Sequence, residues 1–188
     1  MIKIIKRILK LCISPFVNII DFVITNFSDN SIGIYLRKLY FKYSLKNFGS
    51  SSKVCSGSKF FNKKSIHIGN NLSMANNVIL DANDSHGIFI GNYVSISDGT
   101  YFRSANHKFD STQKFIQHQG HECAEISYNG EKYSIIIEDD VWIGARVVLI
   151  SGTHIRKGSV ILSGSIVNKV IPKYEVWGGV PAKFISNR

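Results

Sequence analysis

The chain has 188 residues, of which 44% are apolar, and a formal net charge of +10. This is enough apolar sequence for one domain with a sizeable core, and it excludes wholesale disorder. The 28 Ile and 13 Val outnumber the 9 Leu and 6 Ala, and because Ile and Val favour strands, a helical bundle is not expected. No helix-turn-helix, zinc-finger or RNA-binding signature accompanies the positive charge, so nucleic acid is not an expected partner.

The positive charge is concentrated in the first quarter of the chain. Residues 1–50 hold eight bases and two acids and therefore carry +6 of the +10. Within residues 1–27, cations alternate with isoleucine and leucine: Lys3, Lys6, Arg7 and Lys10. A membrane-spanning helix needs about 20 uninterrupted apolar residues, and Pro15 and Asp21 interrupt this run.

Two interpretations of residues 1–27 stay open. An amphipathic helix that lies on a membrane surface fits the pattern, and so does a helix that packs on the protein's own body or across an oligomer interface. A second basic amphipathic stretch, Ile32 to Phe48, is expected to pack beside the first. Residues 1–50 are therefore treated as a helical N-terminal segment, and residues 51–188 as the main domain.

Cysteine and histidine usage favours a cytoplasmic protein without a metal. Cys12, Cys55 and Cys123 are odd in number and far apart, which is typical of reduced thiols in the cytoplasm. His118 and His121 have a spacing that could hold a metal on a helix, but no cysteine or further histidine supports such a site. We expect a polar loop there and no bound metal.

From about Val54 onward the sequence has a six-residue period. The frame is clearest in its second half, where every sixth residue is aliphatic: Ile137, Ile143, Leu149, Ile155, Ile161 and Val167. Four residues after each of these comes a small or β-branched residue: Val141, Val147, Thr153, Ser159, Ser165 and Ile171. The same frame occurs earlier, at Ile68, Met74 and Leu80 and again at Ile90, Ile96 and Phe102.

A six-residue period predicts an all-β solenoid. One short strand and one turn take six residues, and three such sides close a triangular coil that stacks on the next coil. The aliphatic residue fills the axis, and the small residue lies at the corner. The parallel β-helix is expected over residues 54–172. Residues 81–87 add four residues to one coil, and residues 103–134 break the frame as a protruding loop, whose length indicates a functional role.

The residues that carry this frame resemble the hexapeptide-repeat acyltransferases over about residues 54–185. The segments VWIGARVVLISG, GSIVNKVIP and GGVPAK within residues 129–183 are similar to the maltose and galactoside O-acetyltransferase branch. The loop ANHKFDSTQKF, residues 105–115, is similar to the histidine loop of the xenobiotic acetyltransferases. The resemblance implies a left-handed helix, a homotrimer, and acetyl-CoA bound between neighbouring subunits as acyl donor.

The resemblance also implies catalytic residues. Transfer of an acyl group to a sugar hydroxyl needs a base, and histidine suits this at neutral pH. His107 occupies the position of the family's general base, and Asp110 is a candidate for orienting its imidazole. The backbone N–H of Ala145 is implied as the donor to the developing oxyanion.

Further positions are implied to bind the donor and the acceptor. Trp142 would wall the pantetheine arm, and the remaining donor contacts are Ser163, Asn168, Lys169 and Lys183. Asn76 and Asp84 lie at the approximate positions where sugar-acetylating relatives hold sugar hydroxyls. We therefore expect an acetyl-CoA-dependent O-acetyltransferase acting on a bacterial surface carbohydrate, such as a capsule or O-antigen glycan. The alternatives are a xenobiotic O-acetyltransferase and a non-catalytic scaffold.

Overall fold

The fold is a parallel β-helix with helices at its N-terminal end, as the six-residue frame predicts. In the computed structural model, residue 16 and residues 18–188 are described. Three parallel sheets, which we call A, B and C, form the sides of the solenoid, and the chain visits them in turn. No helix of the described residues is long and apolar enough to cross a bilayer.

The strands are short, because each side of a coil accommodates only two to four residues. Sheet A contains β1 (Asn47–Phe48), β4 (Ile66–Ile68), β7 (Ile88–Ile90), β14 (Ile135–Ile137), β17 (His154–Ile155) and β20 (Val170–Ile171). Sheet B contains β2 (Lys53–Val54), β5 (Ser73–Met74), β8 (Ser95–Ile96), β15 (Trp142–Ile143), β18 (Val160–Ile161), β21 (Glu175–Gly178) and the antiparallel β22 (Lys183–Asn187). Sheet C contains β3 (Lys59–Phe61), β6 (Ile79–Asp81), β9 (Tyr101–Arg103), β16 (Val148–Ile150) and β19 (Ile166–Val167).

The pairing register gives the length of each coil. Successive partners in sheet B lie 20, 22, 47, 18 and 16 residues apart: Lys53, Ser73, Ser95, Trp142, Val160 and Val176. Three six-residue sides make 18 residues, so the 22-residue coil contains the four extra residues predicted at 81–87. The 47-residue step contains 29 extra residues, which form the protruding loop.

The axial residues form one continuous core. None of them is more than 6% exposed: Val54, Phe60, Ile68, Met74, Leu80, Ile90, Ile96, Phe102, Ile137, Ile143, Leu149, Ile155, Ile161, Val167 and Ile171. Ile171 was assigned to the small corner position from sequence, and this was wrong. It pairs with Ile155 in sheet A, because the last coil has 16 residues and not 18. The frame therefore shifts by two residues at the C-terminal end.

Polar corner residues bond from coil to coil. The buried hydroxyl of Thr153 donates to the carbonyl of Val167 at 2.8 Å, and that of Thr100 donates to Gly144 at 3.0 Å. At the corner between sheets A and B, each of three side chains accepts a backbone N–H from the preceding coil: Asn70, Asn92 and Asp139. These bonds satisfy backbone groups that the ladders leave free.

Two helices cover the N-terminal end of the solenoid. Helix α1 covers residues 18–26, and helix α2 is Ser31–Ser44. Phe41 of α2 packs on the aromatic rings of Phe48 and Phe60, and so closes the axis. The first strand, β1, starts four residues before the boundary expected at residue 51. The predicted stretch from residue 32 onward is thus helical as far as Ser44, and its last residues enter the first coil.

Polar groups attach the helices to the first coil. The end of a sheet stack leaves strand carbonyls and N–H groups unpaired, and these need partners. The guanidinium of Arg37, which is 1% exposed, donates to the carbonyl of Val54 at 2.9 Å and of Phe27 at 2.6 Å, and it also pairs with Asp29. Asp29 in turn accepts the backbone N–H of Ser56 at 2.8 Å.

The protruding loop contains two hairpins that the sequence did not indicate. The first pairs β10 (Asn106–His107) with β11 (His121–Glu122), and a short 3-10 turn, Ile116–His118, lies between them. The second pairs β12 (Ile126–Tyr128) with β13 (Glu131–Tyr133).

The second hairpin is part of the scaffold. Tyr133 packs with Phe89 and Ile136 on the outer face of sheet A. Glu131 accepts hydrogen bonds from Lys46 at 2.6 Å and from Tyr133 at 2.5 Å. The bond from Lys46 lowers the pKa of Glu131, while burial and the bond to Glu131 raise the pKa of Tyr133. The first hairpin is consequently the part of the loop available for function.

Candidate functional site

Most of the predicted site residues lie at two corners of the triangular coil. One corner lies between sheets C and A, and it carries the protruding loop. The other lies between sheets B and C, where residues 144–147 turn from β15 into β16. We describe the loop corner first and the turn corner second.

At the loop corner, the first hairpin holds the His107 imidazole outside the solenoid. His107 is exposed, and its direct partner in the antiparallel register is His121. The two imidazole rings lie 4.4 Å apart between centroids, at an interplanar angle of 41°. Within the described residues, no hydrogen bond engages the His107 ring nitrogens, so the ring is able to accept a proton from a substrate.

The two acidic candidates at this corner differ in their surroundings. Asp110 is exposed and makes no hydrogen bond to His107 among the described residues, so its role in orienting the imidazole stays a prediction. Asp84 was a candidate for acceptor binding. Its carboxylate lies 3.4 Å from Nδ1 of His121, and this places Asp84, His121 and His107 in one row. His121 was not among the predicted site residues, because its pairing with His107 depends on a hairpin register that the sequence pattern does not show.

A small cavity lies against the same hairpin. It has a volume of about 240 Å³ and is lined by Asn106, Glu122, Cys123, Ala124 and Ser151. The Ser151 hydroxyl accepts the N–H of Ala124 at 2.7 Å, which attaches the end of the hairpin to the solenoid body. The hairpin therefore emerges from a fixed base.

At the turn corner lies a larger cavity of about 620 Å³, and two of the predicted donor residues, Ala145 and Ser163, line it. It is lined by Asn77, Asp98, Gly99, Ala145, Arg146, Ser163 and Gly164. The N–H of Ala145 donates to the Ser163 hydroxyl at 3.1 Å. This N–H can reach a substrate oxygen once the Ser163 side chain rotates away, since that hydroxyl is its only recorded partner among the described residues.

Gly144 allows the coils to approach each other closely at this corner. A Cβ added to Gly144 would lie 2.6 Å from the backbone nitrogen of Ser163, a separation that requires the backbone to move. The glycine in the WIG sequence thus brings the turns that hold Ala145 and Ser163 together. Arg146, which follows Ala145 with a φ of 55°, lines the same cavity, and the sequence analysis did not identify it. The sequence signal that could have identified Arg146 is its position directly after WIGA, residues 142–145.

Trp142 stands on the outer face of sheet B beside this corner. It is 50% exposed, and its indole nitrogen lies 3.4 Å from the Ser97 hydroxyl. An exposed aromatic face next to the cavity can pack against a long thin ligand. Burial raises the pKa of the Cys55 thiol, which disfavours its thiolate.

The remaining donor candidates are cations and one amide near the C-terminal end. Asn168 and Lys169 connect β19 to β20 at the C–A corner, in the last coils. The ammonium of Lys169 lies 5.9 Å above the centroid of the Trp177 ring. Lys183 is exposed at the start of β22, opposite Gly178. Lys169 and Lys183 thus lie against neighbouring residues of β21, Trp177 and Gly178.

Asn76, the second acceptor candidate, takes part in the stack at the turn corner. Its backbone N–H donates to Asp98 at 3.0 Å. Its side-chain amide donates to Asp29 at 2.6 Å and to the Ser56 hydroxyl at 3.0 Å. Both amide hydrogens are therefore used within the chain, and the predicted acceptor contact would have to displace one of these bonds.

The described residues 16 and 18–188 contain no group of three or more His, Cys, Asp and Glu side chains that could hold a metal ion.

Comparison with known proteins finds similarity to hexapeptide-repeat proteins. A family model described as the hexapeptide repeat of succinyl-transferase matches residues 134–169. The solved structure of a hexapeptide-repeat acetyltransferase of Vibrio cholerae O1 biovar eltor, complexed with acetyl coenzyme A, superposes with a TM-score of 0.68 at 28% identity. The match covers 88% of this chain and 81% of that one. The chain is thus similar in sequence and fold to the hexapeptide-repeat acyltransferases.

Curated acetyltransferases match over a shorter region. A galactoside O-acetyltransferase of Escherichia coli (strain K12) is 37% identical over 122 residues, 64% of this chain and 53% of that protein. A chloramphenicol acetyltransferase of Klebsiella aerogenes is 31% identical over 115 residues, 57% of this chain and 55% of that protein. The chain spans about half the length of the curated relatives it matches.

Proposed function

We propose that this hexapeptide-repeat protein is an acetyl-CoA-dependent O-acetyltransferase whose acceptor is a hydroxyl of a bacterial surface carbohydrate. The observation that carries the proposal is the exposed His107 imidazole on the first hairpin, with its ring nitrogens unengaged among the described residues. The relative that acetylates a galactoside and the relative solved with acetyl coenzyme A support the acceptor class and the donor. The expected location is the cytoplasm.

In the proposed reaction, acetyl passes directly from sulfur to oxygen. His107 takes the proton of the acceptor hydroxyl as that oxygen attacks the thioester carbonyl. The Ala145 N–H donates to the oxyanion of the tetrahedral intermediate. The C–S bond then breaks, the coenzyme A thiolate leaves, and it takes the proton from His107. The products are an acetyl ester and free coenzyme A, and the histidine ends as it began.

The two-corner arrangement supports a homotrimer. His107 projects from the corner between sheets C and A, whereas Ala145 lies at the corner between sheets B and C. One side of about six residues separates these corners, which corresponds to roughly 15–20 Å of extended chain. If the C–A corner of one subunit meets the B–C corner of the next, the contact is heterologous and can close into a ring. The site would then be completed by a neighbouring copy.

We therefore expect a trimer of about three times the 21.1 kDa chain mass in solution. Multi-angle light scattering on active protein at micromolar concentration measures this directly. A fully active monomer would contradict the shared site, because one chain does not bring His107 and Ala145 together.

Lys183→Ala is expected to weaken acetyl-CoA binding by about tenfold. It should leave kcat at saturating acetyl-CoA nearly unchanged, because an exposed lysine that contacts a phosphate contributes to ground-state binding. Calorimetric titration with acetyl-CoA and steady-state kinetics would measure the two effects separately. Lys132→Ala is the matched control, since that lysine is also exposed but pairs with Glu125 on the second hairpin. Loss of kcat with unchanged donor affinity would argue against the phosphate contact.

A xenobiotic acetyltransferase is the second candidate. It is supported by the ANHKFD loop sequence and by the chloramphenicol acetyltransferase relative. One assay distinguishes the two candidate functions. The protein is incubated with acetyl-CoA labelled in the acetyl group, together with either chloramphenicol or oligosaccharides from capsule and O-antigen. Hydroxylamine releases acetyl from an ester and not from an amide, so label loss tests O-transfer in either case. Transfer to chloramphenicol alone would overturn the carbohydrate proposal.

We also propose that the enzyme works at the inner face of the cytoplasmic membrane, with residues 1–27 in peripheral contact. Residues 1–15 and 17 of that segment lie outside the described residues. The basic and apolar composition of the segment supports this location.

A further inference from the structure

Helix α1 has an unusual orientation on the solenoid: its polar side faces the protein. Asp21 accepts hydrogen bonds from Lys63 at 2.7 Å and from Tyr40 at 2.8 Å, and the carbonyl of Thr25 accepts the N–H of Gly57 at 2.9 Å. The apolar residues point away from the protein and are each at least 40% exposed: Phe16, Ile19, Ile20, Phe22, Val23 and Phe27. A surface helix of a globular protein normally buries this side.

Helix α2 also presents large apolar residues to the solvent. Its inward stripe contains the buried Gly33, Arg37 and Phe41, and it is held by the guanidinium of Arg37 and by the packing of Phe41 on the core. Its outward residues are large, and most of them are apolar or aromatic: Ile32, Tyr35, Leu36, Leu39 and Tyr43. The structural reason is the open end of the first coil, whose free backbone groups require polar partners from the helices.

The outward residues of both helices form one continuous surface, which we call the outer helical face. Between the helices it contains a groove of about 400 Å³, lined by Ile24, Leu36, Leu39, Tyr40, Tyr43 and Ser44. A continuous apolar surface that is exposed to water is typical of an interaction site.

The charged side chains around the outer helical face indicate which kind of partner it binds. Both acids of the first 50 residues are already paired within the chain, Asp21 with Lys63 and Asp29 with Arg37. Lys38 and Lys42 on α2 are exposed, and no ion pair is recorded for either among the described residues. The face therefore combines apolar side chains with unbalanced positive charge. This combination matches an anionic lipid surface, where apolar groups enter the headgroup boundary and lysines contact the phosphates.

We propose that the outer helical face, formed by α1 and α2 together, is the docking surface for an anionic bilayer. The inference deepens the membrane contact of the proposed function, and it extends that contact from residues 1–27 to α2. A second copy of the chain is the less suitable occupant, because a two-fold contact would bring the same lysines of both copies together. The face lies at the N-terminal end of the solenoid, away from the last coils, where Asn168, Lys169 and Lys183 lie, so docking leaves those residues accessible.

The test is vesicle sedimentation of the full-length protein. The probes are phosphatidylcholine vesicles with and without about 30% phosphatidylserine, a charge density at which basic surfaces bind. The wild type is expected to sediment with the anionic vesicles only. Tyr35→Ser/Leu39→Ser/Tyr43→Ser and, separately, Lys38→Glu/Lys42→Glu are each expected to weaken binding at least tenfold.

Matched controls make the result specific. Lys157→Glu/Lys173→Glu changes the net charge equally at the opposite end of the solenoid, and Tyr93→Ser/Ile185→Ser removes exposed apolar groups elsewhere. Both are expected to bind within about twofold of the wild type. The charge variant alters only exposed side chains, so it tests the proposal even if the triple variant folds poorly.

Three results of the vesicle experiment would overturn the proposal. They are equal binding of the wild type to neutral and anionic vesicles, no binding at all, and wild-type binding by both face variants. A change in oligomeric state of the face variants, measured by light scattering without lipid, would assign the face to a second copy and would also overturn it. Acetyl transfer to a soluble acceptor without vesicles should be unaffected in the face variants, so failure of docking and failure of the proposed chemistry are distinguishable.

Discussion

His107→Ala lowers the rate of acetyl transfer by about 10²–10⁴-fold, if the imidazole is the general base. The reason is that a sugar hydroxyl attacks a thioester poorly unless its proton is removed as the new bond forms. The loss should appear in kcat, with acetyl-CoA affinity nearly unchanged, because the proposed donor contacts lie at the other corner and near the C-terminal end. Steady-state kinetics with an acceptor that the wild type acetylates, together with calorimetric titration of acetyl-CoA, measure both quantities.

The fold should survive this substitution, because His107 is exposed on a hairpin outside the axial core. His118→Ala is the matched control, since that histidine is also exposed in the same loop but lies on the 3-10 turn between the paired strands. It is expected to retain wild-type kcat. A His107→Ala enzyme within about threefold of wild-type kcat would end the general-base assignment and direct attention to His121, the ring that contacts it.

Arg37→Ala is expected to lower the free energy of unfolding by about 3–5 kcal/mol. The guanidinium is buried and serves the carbonyls of Val54 and Phe27 and the carboxylate of Asp29. Its removal leaves these acceptors without their donor and opens a cavity between α2 and the first coil. Urea unfolding followed by circular dichroism at fixed protein concentration measures the loss.

Lys38→Ala is the control for this substitution, because the neighbouring lysine is exposed and should change stability by less than about 0.5 kcal/mol. Arg37→Ala with stability close to that of the wild type would mean that water satisfies the end of the solenoid without the helices. In that case the inward polar side of α1 and the burial of Arg37 in α2 would need another explanation.

Much of the solenoid could be predicted from sequence, because each coil repeats the same three-sided geometry. The axial aliphatic residue must fill the same space in every coil, so a spacing of six is visible without a structure. The four-residue insertion at 81–87 and the break at 103–134 were visible for the same reason. Ile171 was misassigned because the last coil is two residues shorter, and nothing in the local sequence marks that change.

Other features could not be read from the sequence, because they depend on partners that are distant in the chain. The antiparallel pairing of His107 with His121 is fixed by the hairpin register within an irregular polar segment. The burial of Arg37 against the strand end contradicts the usual assignment of apolar residues to the inside of a helix. The full use of the Asn76 amide by Asp29 and Ser56 likewise depends on contacts across 47 and 20 residues.

The protruding loop interrupts the chain without interrupting the stack. Ser95 and Ile96 pair with Trp142 and Ile143 in the same parallel register that joins Trp142 and Ile143 to Val160 and Ile161. The coils on both sides of the 29 extra residues therefore meet as if those residues were absent. The first hairpin, which bears His107, can therefore change in length or sequence at little cost to the axial core, whereas the second hairpin is constrained by its packing on sheet A. Evolutionary variation of the loop is expected to concentrate in the first hairpin.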